Sequence, residues 1–247
     1  MQKTYKKNQP ETIRSLFDQI AGRYELGNAC LSFCLYRLWN RALIKRVITP
    51  KRPESYLDLC AGTGEISLVY LKRSCRESLP KKSYLLDFSS EMLLVAKEKE
   101  KRWGLPSERI EYLEADAQEI PLPSSSVDCV TAAYGIRNLK EPSRCFEESY
   151  RVLRGGGVFG MLELTRPKNP LLRAAHGLYL KTALPLVGSW VTSNREAYEY
   201  LCETVRTLIP PEELVGKIER AGFREVSSIS LFGGIATLIK AEKTHSA

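Results

Sequence analysis

Three short apolar runs in this chain end in residues able to hold a polar ligand. The run from Ser55 closes with Asp58-Leu-Cys-Ala-Gly62-Thr63-Gly64, the run from Ser83 closes at Asp87, and the run from Arg109 closes at Asp116-Ala117. Glycines placed after a strand allow a sharp turn and let a ligand come close to the backbone. A carboxylate at the tip of the next strand accepts both hydroxyls of a ribose, and Asp116-Ala117 at a third tip is placed to meet an adenine ring. Together Asp58, Gly62, Thr63, Gly64, Asp87, Asp116 and Ala117 specify an adenosyl cofactor. A dinucleotide site wants a third glycine three residues after Gly64, where close helix packing leaves room for a pyrophosphate. Ser67 stands there instead, and Glu65 beside it repels phosphates. S-adenosylmethionine has a cationic sulfonium and no phosphate, so the acidic loop selects the methyl donor.

These tips need a sheet behind them. Ser55–Cys60, Ser83–Asp87, Arg109–Glu114, Val127–Tyr134 and Val158–Leu164 read as strands, alternating with helices at Glu65–Arg73, Ser89–Trp103 and Ser143–Leu153. Ser89 or Ser90 is the expected cap of the second helix. Strand–helix alternation predicts an α/β, doubly wound, mostly parallel sheet. Val226–Phe232 and Ile235–Lys240, separated by Gly233-Gly234, predict a final hairpin. The expectation is therefore one domain with a seven-stranded sheet and an antiparallel C-terminal edge strand. Residues 1–52 form a helical cap, 53–165 the cofactor-binding core, 166–206 a helical insertion, and 207–247 a last helix and strands.

The chain has 247 residues, 43% of them hydrophobic and 27% charged, enough to bury a full core. Its net charge of +8 favours anionic partners. The seven cysteines are scattered without a Cys-x-x-Cys pair and the histidines are only His176 and His245, so no metal site is expected. That usage fits a reducing, cytoplasmic compartment. The N-terminus lacks a signal-peptide pattern, and the longest apolar stretch, Gly177 to Val191, is short and interrupted by Lys181 and Pro185.

Asp58 to Gly64 resembles motif I of class I methyltransferases, and three further stretches narrow the resemblance. Tyr24-Glu-Leu-Gly-Asn28, followed by Leu31-Ser-Phe-Cys-Leu-Tyr-Arg37-Leu-Trp39, is similar to the N-terminal signature of the ubiquinone/menaquinone biosynthesis C-methyltransferase family. Tyr134-Gly-Ile-Arg137-Asn138-Leu resembles that family's Phe-Gly-Ile-Arg-Asn element, and Tyr150 to Gly157, continuing to Leu162-Glu163, resembles its second signature. The likeness runs from about Phe17 to Gly234. Glu25 stands where Asp is usual, Cys34 and Tyr36 replace the common Gly and His, and Ala133 replaces a serine that contacts the cofactor in relatives.

The resemblance implies a methyltransferase that uses S-adenosylmethionine and no metal. Its substrate would be a prenylated quinol, demethylmenaquinol giving menaquinol, or a ubiquinol precursor. Arg137 and Asn138 are the expected catalytic residues. Arg137 is a poor base. It stabilises a phenolate or orients a water, unless it is a structural partner of Glu141 or Glu163. Tyr24 and Tyr134 are expected to bind the ring, with Tyr179 and Trp190 as further candidates, while His176 reads as a surface or capping residue. Arg37, Arg41, Lys45 and Arg46, interleaved with Phe33, Tyr36 and Trp39, suit peripheral contact with an anionic membrane surface. A homodimer or a biosynthetic complex is compatible with this.

Nucleic acid is not expected as a partner, although the charge suits it. The fourth strand ends Ala-Ala-Tyr-Gly, not Asp/Asn-Pro-Pro-aromatic, and no Pro-Cys nucleophile exists. The rival readings are methylation of another small molecule or of RNA, and a membrane-associated scaffold that binds the cofactor without chemistry.

Overall fold

The computed structural model describes residues 10–75, 78–192, 204 and 210–245, and the side chains among them except those of 10 and 183–192. Seven strands form one sheet: β1 Ser55–Leu59, β2 Lys82–Asp87, β3 Ile110–Glu114, β4 Val127–Ala133, β5 Leu153–Leu164, β6 Arg224–Leu231 and β7 Ala236–Glu242. Their order is β3-β2-β1-β4-β5-β7-β6. The first five are parallel, and β7 runs antiparallel to both β5 and β6.

The expected antiparallel C-terminal strand is present, but it lies one place in from the edge, and β6 takes the edge. Composition explains the exchange. Ala236, Leu238, Ile239 and Ala241 of β7 are buried, as a strand covered on both faces requires. Most residues of β6 are exposed or half-buried, including Ser227, Ser228 and Ser230. The chain winds outward from β1 in one direction and from β4 in the other. That reversal leaves a crevice beyond the carboxyl ends of β1 and β4, the usual ligand position in such sheets.

Helices cover both faces. Beside α5 Ser67–Arg73, helix α6 Ser90–Trp103 begins at Ser89, whose hydroxyl accepts a hydrogen bond from the Met92 amide at 3.1 Å, and ends at Gly104. Helices α7 Pro142–Val152 and α9 Pro211–Arg220 bury Phe146, Leu214 and Ile218 in one core layer with Phe159 and Phe223. The N-terminal cap is α1 Pro10–Ile20, α2 Tyr24–Leu31 and α3 Tyr36–Leu43, continued by a π-helical turn Ile44–Ile48 and the single turn α4 Thr49–Lys51. Trp39, Leu43, Val47 and Ile48 seal the opposite layer against Tyr56, Leu68 and Leu85.

The expected insertion contains α8, Pro170–Thr192, a helix that runs through Pro185. Asn169 caps its start, its side-chain oxygen accepting from the amides of Leu171 and Leu172 at 2.9 and 3.1 Å. The Tyr179 hydroxyl donates to the Leu31 carbonyl and ties α8 to α2. Residues 193–203 and 205–209 of the insertion lie outside the described ones. Among the described residues no helix is long and apolar enough to cross a membrane.

Candidate active site

Strands β1 and β4 are each followed directly by a residue with left-handed backbone, Cys60 at φ 53° and Tyr134 at φ 59°, so the backbone turns away at both tips and opens the crevice. Their tips remain in close contact. A Cβ on Gly135 would lie 2.3 Å from that of Cys60, so only glycine fits there. Gly64 is similarly constrained, since a Cβ would meet Leu68 Cγ at 2.7 Å. Its role is to pack the loop on α5, and it does not line the cleft, whereas Gly62 does.

The cleft above these tips has a volume of about 820 Å³ and is bordered by Gly62, Asp87, Asp116, Ala117, Ala133 and Asn138. Asp87 is buried at the tip of β2. One carboxylate oxygen accepts from the Gly62 amide at 2.8 Å and the other from the Ser89 amide at 3.0 Å. Burial outweighs these bonds and pushes its pKa up to about 6. Asp116 is exposed at the tip of β3, held by the backbone and side-chain amides of Gln118 at 2.8–3.0 Å.

A smaller recess of about 420 Å³ adjoins the glycine loop, lined in part by Asp58, Gly62, Thr63 and Glu65. Asp58 is buried beneath it. It accepts from Thr131 at 2.7 Å and from Ser67, and burial raises its pKa to about 6. The Thr63 hydroxyl donates to Glu25 at 2.8 Å. Lys99, only 2% exposed, pairs with that same Glu25 and with Glu65 at 3.0 Å. The sequence expects Glu65 to offer its full charge to a ligand; the structure gives it a cation. No sequence motif marked Lys99. Lys140 is the one basic side chain among the described residues bordering the cleft. Carboxylates and loop amides of this kind suit hydroxyls and a sulfonium better than phosphates, so the residues fit S-adenosylmethionine.

Next to this cleft is an apolar cavity of about 1100 Å³ between α2, α3 and α8. Tyr24 and Tyr134 border the cleft, the recess and the cavity alike. The Tyr134 hydroxyl donates to Asn40 at 2.9 Å. Burial raises the Tyr24 pKa, an effect opposed by the nearby Arg137 cation. Arg137 and Asn138 are neighbours in sequence but divide between the two spaces, Arg137 at the apolar cavity and Asn138 at the cleft. Arg137 is ion-paired with Glu163, and of the two structural partners expected for it, this is the one present.

Tyr36 and Trp39, expected at a membrane-facing surface, are instead buried and line the apolar cavity. Their spacing with Leu43 and Val47 marks one helical face, and that face turns inward. Phe33 is the aromatic left outside, at 76% exposure. His176 is half-buried at the cavity wall rather than on the surface, and burial together with Arg166 lowers its pKa. Tyr179 also lines the cavity, while the side chain of Trp190 lies outside the described ones. Among the described residues no cluster of His, Cys, Asp or Glu is arranged for a metal ion.

Comparison with known proteins bears on this geometry. A family model described as the ubiE/COQ5 methyltransferase family matches residues 3–243. A demethylmenaquinone methyltransferase of Protochlamydia amoebophila (strain UWE25) is 49% identical over 236 residues, covering 96% of this chain and 96% of that protein. A ubiquinone/menaquinone biosynthesis C-methyltransferase of Rickettsia bellii (strain OSU 85-389) is 33% identical over 242 residues, covering 98% and 96%. Among solved structures, a SAM-dependent methyltransferase of Thermotoga maritima, possibly a histamine N-methyltransferase, superposes with a TM-score of 0.63 at 16% identity. The match covers 93% of this chain and 99% of that one, and it shows the shared class I fold.

Proposed function

Since the chain belongs to the ubiE/COQ5 methyltransferase family, we propose that it methylates a ring carbon of a prenylated demethylmenaquinol, giving menaquinol, with S-adenosylmethionine as donor. The observation that carries this reading is the common wall. Tyr24 and Tyr134 separate an acid-lined cleft from an apolar cavity large enough for a flat ring and the start of its tail. The naphthoquinol is favoured over a benzoquinol by the name of the 49% identical relative.

When bound, S-adenosylmethionine supplies a methyl group already activated on a sulfonium. Asp87 would accept the ribose hydroxyls, Asp116 and Ala117 would flank the adenine, and Gly62, Thr63 and Asp58 would border the amino-acid end, with Ala133 at the floor. The remaining work belongs to the chain. The two tyrosines hold the ring flat, and the apolar walls exclude water and receive the tail. A phenolic proton must leave before the neighbouring ring carbon becomes nucleophilic. Once the methyl group has passed to that carbon and S-adenosylhomocysteine is left, the hydrogen on the same carbon must leave as a proton to restore the aromatic ring. Arg137 stays cationic, so it acts by stabilising the phenolate and orienting the water that takes the proton, with Asn138 on the donor side. A substrate this apolar is met by peripheral contact of the protein with the cytoplasmic membrane surface.

The test is transfer of a labelled methyl group by the purified protein to detergent-dispersed demethylmenaquinol, a prenylated benzoquinol precursor, or tRNA. Label is expected chiefly on the naphthoquinol. Label on tRNA, or on none of the three, would overturn the proposal.

A further inference from the structure

A second hollow adjoins the apolar cavity, at the start of α8 and the chain leaving β5. It measures about 880 Å³, and the charged and titratable side chains lining it are Arg166, Arg173, His176 and Lys181. Arg173 and Lys181 are two helical turns apart on one face of α8, with Gly177 between them, where a Cβ would meet nothing within 4 Å. Arg166, Arg173 and Lys181 are exposed, and among the described residues no carboxylate lines the hollow. Lys168, just outside it, does have a partner, Glu212 at 2.6 Å. Gathering cations around one open space is unfavourable unless an anion enters it, and arginine forks match phosphate oxygens in particular.

The surroundings say which phosphate. His176 and Leu180 line both the cationic hollow and the apolar cavity, so the two open into the same region of the surface. Leu171, Leu178 and Phe33 beside them are 81%, 63% and 76% exposed. A cationic hollow flanked by exposed apolar side chains complements an amphiphile with an anionic head. We propose that Arg166, Arg173 and Lys181 bind the phosphate of an anionic membrane lipid and thereby seat the mouth of the apolar cavity on the bilayer. This rests on the reading that the cavity takes a lipid-tailed quinol. It assigns the headgroup contact to α8, in addition to the basic face of α3.

The experiment measures binding of the full chain to vesicles of phosphatidylcholine alone or with phosphatidylglycerol. Wild type is expected to prefer the anionic vesicles at least tenfold. The double variant Arg166→Gln/Arg173→Gln should lose roughly thirtyfold, at about fivefold for each basic residue and somewhat more where an arginine fork is removed. Its turnover of a short-tailed quinol in detergent should be unchanged. Lys181→Glu, a single exposed change, should weaken vesicle binding in the same direction if the double variant folds poorly. Equal binding of wild type and these variants to anionic vesicles would overturn the proposal. So would loss of binding only in an Arg41→Gln/Lys45→Gln variant of α3 and the π-helical turn that continues it. Saturable binding of inorganic phosphate that depends on Arg173, without any preference for anionic vesicles, would assign the hollow to a free phosphate and also overturn the lipid. Absence of turnover in wild type would count against the methylation reading while leaving the vesicle result decisive here.

Discussion

Arg137 and Glu163 form a buried ion pair at the wall of the apolar cavity, the guanidinium 5% exposed and the carboxylate fully covered. Glu163 also accepts from the Arg137 amide at 3.2 Å and from the Leu164 amide at 3.0 Å. Arg137 sits on the turn after β4 and Glu163 near the end of β5, two adjacent strands, so the sheet itself fixes where the cation is held. A guanidinium placed this way is already desolvated and oriented, as the proposed stabilisation of a phenolate requires.

Arg137→Ala should therefore lower turnover about 100- to 1000-fold, the range for losing one preorganised donor to a developing oxyanion. Affinity for S-adenosylhomocysteine should stay within about twofold, because Arg137 does not border the donor cleft. The orphaned Glu163 should cost about 3–5 kcal/mol of stability. Calorimetry, turnover and thermal unfolding measure the three effects separately. Full turnover in a destabilised variant would reduce the pair to a structural role.

Much of this arrangement was legible before the structure. Strands β1, β2 and β4 are covered on both faces and read as apolar runs, and Asp58 and Asp87 follow from where the first two runs stop. Ser89 as the cap of α6 follows from the same reading. The partner of Arg137 was not decidable, since Glu141 and Glu163 are equally plausible until the β4–β5 register is known. Aromatic residues among arginines suit an interface, but the spacing that Tyr36 and Trp39 share with Leu43 is the stronger signal and turns them inward. Lys99 had no signature at all. It is one lysine in a charged helix, Lys97-Glu-Lys99-Glu-Lys-Arg102, and only tertiary packing shows that it turns inward.

Lys99 joins three elements: its own helix, Glu25 on the cap helix α2, and Glu65 after the glycine loop. Lys99→Met should leave two partly exposed carboxylates facing each other without a cation, at a cost of about 1–3 kcal/mol. It should also weaken S-adenosylhomocysteine binding, because Glu25 holds Thr63 of the loop. Glu25→Gln should cost no more than about 1 kcal/mol, since its side chain is one-third exposed. Unfolding curves and calorimetry check both variants. An unchanged melting temperature for Lys99→Met would contradict the account.

Asp58 and Asp87 make stability and ligand affinity respond to pH in opposite directions. Burial raises both from the ordinary value of 3.8 to about 6. Between about pH 4 and 6 the folded chain then holds protons that the unfolded chain has released. The share of stability due to these groups is thus largest at the acid end and falls as pH rises through 6. His176, with its lowered pKa, works in the opposite sense below 6.5. Comparing wild type with Asp58→Asn by denaturant unfolding at pH 5 and 7.5 isolates one aspartate, and wild type should lose more stability on going to pH 7.5. Affinity for S-adenosylhomocysteine should rise over the same range as Asp87 ionises. In Asp87→Asn it should be weaker and nearly flat with pH. A pH-independent affinity in wild type would remove Asp87 from the ribose contact.

The turn between α2 and α3 carries two consecutive non-glycine residues at positive φ, Phe33 at 49° and Cys34 at 62°. Each such residue costs roughly 1–2 kcal/mol relative to a conformation without Cβ strain. The Ser32 hydroxyl helps hold the turn, donating to the Asn28 carbonyl at 2.6 Å and accepting from the Tyr36 amide at 3.3 Å. Cys34 stands where the family usually has glycine, so Cys34→Gly should relieve strain there. Part of that gain is offset by the freedom glycine adds to the unfolded chain, leaving about 1 kcal/mol, or roughly 2–4 °C in melting temperature. Cys34→Ala retains a Cβ and should leave the melting temperature nearly unchanged, which separates backbone strain from any effect of losing the thiol. If Cys34→Gly instead melts lower while Cys34→Ala matches it, the thiol must be making a contact that outweighs the strain.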